Sequence, residues 1–173
     1  WRLSAVNHRR PRLKGVLSRK TAMSCLAEID DGGFSQPVIN ALGQSLSPAD
    51  QRLLRQIVLG VLRHQTHLDV LIEPYLKTKL DALDRSVLYA LRIGCFQVRI
   101  LDRIPSHAAV STTVEAFKQL YGRKATGFVN GVLRSMLRTP KNPFSRVETA
   151  TELSRYYSQP KWLINSWVEQ LGL

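Results

Sequence analysis

The sequence predicts an all-α fold, a bundle of about seven helices with further helices at its carboxy-terminal end. Three observations predict it. Apolar residues recur at spacings of three and four along nearly the whole chain, and two-residue alternation is absent. Strong helix breakers, among them Gly32-Gly33, Pro105 and Gly122, fall between the periodic stretches. Apolar residues make up 44% of the 173 residues, enough for a real core.

The elements follow in order. A first helix is expected over 18–30, with Ser18 as N-cap, Ala22, Leu26 and Ile29 as its stripe, and Gly32-Gly33 as its stop. A short second helix covers 36–42. Ser47-Pro48 opens the third, because a hydroxyl caps the free N–H groups and Pro suits the first helical position. Its stripe is Leu53, Leu54, Ile57, Val58, Val61 and Leu62. A fourth helix covers 68–76, with Pro74 bending or interrupting it. The fifth, over 84–101, is apolar on two faces and belongs in the middle of the bundle. Gly94 inside it implies the close approach of a neighbouring helix.

Pro105 breaks the chain, Ser106 caps a sixth helix reaching Tyr121, and Gly122 ends it. The seventh covers 126–137. Phe128, Val129, Val132, Leu133, Met136 and Leu137 are assigned to the core, and Asn130, Arg134 and Arg138 to the opposite side. Pro140 and Pro143 mark a linker. Helices over 149–157 and after Ser158-Gln159-Pro160 complete the chain, the last carrying Trp162, Leu163, Trp167 and Leu171. The two Trp side chains are expected to fold back on the bundle, with a missing further domain as the alternative cover, since burying either gains roughly 2–3 kcal/mol. The chain thus divides into a basic arm (1–17), a helical domain (18–138), and a Pro-containing linker with terminal helices (139–173).

Charge is lopsided. There are 25 Lys and Arg against 13 Asp and Glu, a net charge of +12. Seven of those bases (Arg2, Arg9, Arg10, Arg12, Lys14, Arg19 and Lys20) fall in the first 20 residues, which hold no acid. A basic arm ahead of a near-balanced body suits a phosphate backbone. No apolar run is long enough for a membrane span, and the basic start has no apolar segment of the secretory kind. The expected location is the cytoplasm, and two cysteines, Cys25 and Cys95, read as small core residues, fit that.

No catalytic centre is legible. His64 and His67 could share a helix face near Asp69, but no further ligand stands at a useful spacing, so no metal is expected. His107, just after a helix start, reads as structural. No Gly-rich phosphate loop, nucleophile elbow or carboxylate pair appears.

Several strings nevertheless carry a family likeness. They are Arg19-Lys20-Thr21-Ala22 with Leu26, Asp50-Gln51-Arg52-Leu53, Leu59-Gly60-Val61-Leu62-Arg63, Leu68-Asp69 and Leu91-Arg92-Ile93-Gly94-Cys95-Phe96-Gln97. Two more are Ile104-Pro105-Ser106-His107-Ala108-Ala109-Val110 and Gly127-Phe128-Val129-Asn130-Gly131-Val132-Leu133-Arg134. In this order over 18–138 they resemble the NusB-like amino-terminal RNA-binding domain of the RsmB/Sun (Fmu) rRNA cytosine-C5 methyltransferases. Ser111-Thr112 departs from the Asn-Glu of many relatives, on a helix surface. The stretch from Tyr157 to Leu163, then Trp167 and Gly172, resembles the segment joining bundle to catalytic domain in that family.

The resemblance implies an RNA-binding domain whose parent is an S-adenosylmethionine-dependent enzyme, with no cofactor in this chain and the catalytic domain absent from it. The implied partner is rRNA, with no membrane. Two other readings stay open: an antitermination factor that binds RNA with a ribosomal protein, and a helical protein-interaction domain. From charge and resemblance together, the expected RNA contacts are Arg9, Arg10, Arg12, Lys14, Arg19 and Lys20. Arg123, Lys124, Arg134 and Arg138 form a second basic set, and Tyr121 or Trp1 is placed to stack on a base.

Overall fold

The structure, a computed structural model, describes residues 15–144 and 147–171. Among the described residues there are α-helices and 3-10 turns and no strand, so the all-α expectation holds. The helices are α1 (Val16–Asp30), α2 (Ser35–Gly43), α3 (Pro48–Arg63), α4 (Gln65–Ile72), α5 (Arg85–Arg99), α6 (Ser106–Tyr121), α7 (Thr126–Arg138), α8 (Ala150–Tyr157) and α9 (Lys161–Leu171). Two 3-10 turns, Glu73–Tyr75 and Leu80–Ala82, lie between α4 and α5.

Helix α5 is the hub. It packs on α1, α3, α4, α6 and α7, and both of its apolar faces are covered, with Val87, Leu91, Ile93, Cys95 and Phe96 all buried. Gly94 allows this: a Cβ there would come within 2.5 Å of Leu133 on α7. Gly60 does the same for α3, where a Cβ would collide with the Phe96 ring. Cys25 and Cys95 are free thiols in the core, and burial pushes them up to about 11 and about 12.

Polar residues of the family-like strings join helices. Arg92 of α5 grips Asp69 of α4 through two parallel bonds of 2.8 Å from Nε and Nη2. Gln97 donates to the Ile93 carbonyl at 2.9 Å and across to Thr113 Oγ1 of α6 at 3.1 Å. Asp50, in the first turn of α3, accepts from Ser18 of α1 at 2.5 Å and from Ser47 at 2.7 Å. These hydroxyls hold its carboxyl below the usual range, with the Arg19 charge acting in the same direction.

Ser47 caps α3 as expected, with its Oγ accepting from the Asp50 N–H at 3.2 Å. Four expectations need correction. Helix α1 begins at Val16, because that apolar side chain is buried, so Ser18 lies inside the helix and is no cap. The N-cap of α6 is Pro105, and Ser106 is its first helical residue. Phe128 does not face the core and is 42% exposed. The tryptophans do not fold back on the bundle: Trp162 is 70% and Trp167 43% exposed, and α9 packs chiefly on α8 through a face containing buried Ile164.

The segment after α7 is not a loose connection. Tyr75 Oη donates to the Thr139 carbonyl at 3.0 Å and accepts from the Lys141 N–H at 2.6 Å. Lys141 Nζ donates to the Pro74 carbonyl at 2.6 Å, and Arg99 donates to the Lys141 carbonyl at 3.2 Å. Farther on, α8 lies on α4. His67 stacks on Phe144 with 4.7 Å between ring centroids, and its Nδ1 lies 2.7 Å from the Tyr156 carbonyl. The His67 N–H also donates to Ser158 Oγ at 2.9 Å, which holds Ser158 in the left-handed region at φ 52.

Candidate nucleic-acid interface

The expected contacts fall into three groups. Arg9, Arg10, Arg12 and Lys14, like Trp1, lie outside the described residues. The second group sits at the start of α1. Lys20 is half-buried there, and Arg19 departs from expectation altogether. Its side chain is only 3% exposed, folded back so that Nη1 donates to the Gly15 carbonyl at 2.9 Å. Burial lowers its pKa to about 10, against the pull of Asp50, so it remains a cation at neutral pH. Arg19 is therefore buried in the domain and not displayed to a ligand. The local reason is helical phase: position 19 stands three, four and seven residues before Ala22, Met23 and Leu26, on the stripe that α1 buries.

The third group is exposed. Arg123 and Lys124 stand on the turn between α6 and α7, and Arg134 and Arg138 on α7 itself. Helix α7 contains no acid. Gly127, Gly131, Arg134 and Arg138 follow one another at spacings of four, three and four, so they share one face, and all four are exposed. Arg134 is steadied by donating from Nε to Asn130 Oδ1 at 2.9 Å. Nothing lies within 4 Å of a Cβ built at Gly127 or Gly131, so neither glycine is required by packing within the domain. The result is a bare strip of helix, positively charged at one end, with the Phe128 ring at its edge.

Sequence reasoning missed Phe128, Gly127 and Gly131 as parts of this surface. The two glycines were a usable signal: paired glycines in a helix interior cost stability and ask for a reason. Tyr121 is 38% exposed at the end of α6, beside the same turn, and packs on Phe117 at 5.3 Å between centroids.

His67 is engaged in holding α8, and His107 is exposed near the start of α6. Among the described residues no three His, Cys, Asp or Glu side chains are grouped to hold a metal. One cleft of about 170 Å³, edged by Asp30, Tyr89 and Arg92, and another of about 160 Å³, edged by Asn40, Gln51 and Arg55, are present. Both fall below the roughly 300–1,000 Å³ typical of small-molecule sites. Among the described residues no helix is long and apolar enough to cross a membrane.

Comparison with known proteins gives this geometry a context. The ribosomal RNA small subunit methyltransferase B of Klebsiella pneumoniae is 30% identical over 162 residues, covering 91% of this chain and 37% of the relative. The protein of that name from Vibrio cholerae is 32% identical over 147 residues, covering 84% of this chain and 33% of the relative. The chain thus spans about a third of the length of the curated relatives it matches. Among solved structures, the antitermination factors NusB and NusE in complex with double-stranded RNA include a chain sharing the fold at a TM-score of 0.64 and 24% identity. That match covers 71% of this chain and 95% of the other. T. maritima NusB matches at a TM-score of 0.62 and 21% identity, over 79% of this chain and 98% of the other. The NusB family model matches residues 17–138, from the start of α1 to the end of α7, and the chain belongs to the NusB family.

Proposed function

We propose that this chain is an RNA-binding module of an rRNA cytosine-C5 methyltransferase, which holds small-subunit rRNA in the cytoplasm while the methyl transfer is carried out elsewhere in the protein. The observation that carries this reading is the acid-free face of α7, with Arg134 and Arg138 exposed beside bare glycines and the Phe128 ring. Cations there and on residues 1–14 meet phosphates, and Phe128 offers a stacking surface for an unpaired base. The long curated relatives, which this chain matches over most of its own length, support the link to rRNA. S-adenosylmethionine would supply the methyl group in such an enzyme.

The test is a titration of a labelled, structured small-subunit rRNA fragment at two salt concentrations. Affinity should fall steeply with salt, and changing Arg134 and Arg138 together to Ala should flatten the log–log slope by about two units. A salt-independent affinity, or none, sinks the reading. A second reading, an antitermination factor acting with a ribosomal protein, is favoured by the near-complete coverage of the NusB chain solved with NusE and RNA. Co-purification of a stoichiometric ribosomal protein would support it.

A further inference from the structure

Where α8 lies on α4, a run of rings reaches from the core to the solvent. His64, His67, Tyr156 and Tyr157 follow one another with 6.5, 5.3 and 5.0 Å between centroids. The inner end is tied down, since His64 stacks on buried Phe96 and His67 on Phe144. The outer end is open. Tyr156 is exposed, and Tyr157 is more so at 55%. Tyr157 meets the Tyr156 ring edge to face at 88°, which leaves flat ring surface free. Packing has little use for that ring. The helix is held on α4 by the His67 N–H bond to Ser158 Oγ, by His67 Nδ1 on the Tyr156 carbonyl, and by the His67–Phe144 stack.

The charge around this run has one sign. Burial pushes the His64 and His67 imidazoles below their ordinary value. Arg63 acts in the same direction on His64, and His64 and Arg99 do so on His67, against the Tyr156 carbonyl. No carboxylate bears on either ring among the described residues. On α8 itself Arg155 is exposed and makes no ion pair among the described residues. The acid nearest to it in sequence, Glu152, is folded back on the helix cap, where it accepts from the Thr149 N–H at 2.9 Å. Open rings flanked by unpaired cations suit unpaired nucleotides, whose bases stack while their phosphates meet the charges. An apolar protein segment laid here would leave those cations without anions.

We propose that the α4–α8 seam is a second RNA surface, besides the α7 strip, which takes an unpaired nucleotide: Tyr157 stacks on the base while Arg155 and Arg99 meet the flanking phosphates. The proposal rests on the RNA-binding reading above. It adds to that reading a surface whose outer rings lie beyond residue 138, where the family match ends.

The test uses the 173-residue chain and two labelled probes, a small-subunit rRNA hairpin with an open loop and its stem as a plain duplex. Tyr157→Leu keeps an apolar side chain against Tyr156 and should melt with the unchanged chain. Its affinity for the loop probe should fall about tenfold, with no loss on the duplex, whose bases are already stacked. The salt slope should not move, because no charge is removed. Tyr157→Phe keeps the ring and should bind as the unchanged chain does. Arg155→Ala should flatten the slope on the loop probe by about one unit. The loss from Tyr157→Leu should add to that from changing Arg134 and Arg138, as separate surfaces require. Full affinity of Tyr157→Leu for the loop probe overturns the proposal and leaves the rings to a protein partner. An equal loss on both probes overturns it as well. If Tyr157→Leu does not fold, an unchanged slope for Arg155→Ala does so. If the unchanged chain binds neither probe, the RNA-binding reading falls and takes the proposal with it. Failure of the proposal alone is recognisable, because the unchanged chain still binds and still weakens when Arg134 and Arg138 are changed.

Discussion

Gly60 and Gly131 occupy helix interiors for opposite reasons, and substitution separates them. Gly60 faces the Phe96 ring with no room for a Cβ, so Gly60→Ala should cost about 1–3 kcal/mol in urea denaturation, the usual range for overpacking. Gly131 faces open space, so Gly131→Ala should gain about 0.5–1 kcal/mol while weakening RNA binding. Gained stability with unchanged RNA affinity would remove the strip on α7 from the interface. Asp69 gives a third measurement at this scale. With Arg92 only 12% exposed in its side chain, Asp69→Ala strands a cation and should destabilise by about 3 kcal/mol, read from the same denaturation midpoints. Residues of this kind were half legible. The spacing of Leu68-Asp69 and Leu91-Arg92 gave a resemblance, but that the two polar members pair with each other is a fact of tertiary packing. Arg19 was misread for the same reason. In the sequence it is one more base beside Lys20, and only the turn of α1 separates a buried guanidinium from an accessible ammonium.

At the scale of elements, the legible features are those with local causes. Ser47 and Pro48 act on their own helix end, and α3 starts where they say. The start of α1 was not legible, because Val16 joins the helix through burial against other elements. Phe128 sits at a spacing that fits a core stripe, and periodicity alone cannot tell the edge of a stripe from its centre. The docking of α8 on α4 was likewise hidden, since it depends on His67, Phe144, Tyr156 and Ser158, which are far apart in sequence. That docking should respond to pH. Burial pushes the His67 imidazole below its ordinary value, with the Tyr156 carbonyl opposing, and His64 is also lowered by burial. The unfolded chain therefore takes up protons first, near the ordinary value of about 6.5. Stability is complete above that pH and falls as pH drops through it. Melting temperature should be lower at pH 5.5 than at pH 7.5, and His67→Phe, which keeps a ring against Phe144, should flatten the difference. An equal pH response in the variant would show that His67 is not the titrating group.

At the scale of the whole molecule, the exposed cations of the α6–α7 turn and α7 stand apart from the core. The hub helix α5 fixes the bundle through packing and a few internal polar bonds, while Arg123, Lys124, Arg134 and Arg138 are exposed at and beyond the α6–α7 turn. Binding strength and folding stability should therefore respond to different substitutions. Changing Arg9, Arg10, Arg12 and Lys14 to Ala should leave the melting temperature within about 2 °C. RNA affinity at low salt should fall at least tenfold, with the log–log slope reduced by about three to four units. Calorimetry and fluorescence anisotropy on the same preparations would show whether the two properties part in this way.

The strap from Thr139 to Ser158 bears on where the family domain can be cut. The family match stops at residue 138, and a gene fragment designed to that limit would strip the cover from Tyr75 and His67. Such a fragment would present an oily flank and a histidine backbone N–H deprived of its hydroxyl acceptor, and would aggregate in the tube. Expression to residue 158 or beyond keeps that flank sealed, so the evolutionary border and the border of a well-behaved recombinant piece lie some twenty residues apart.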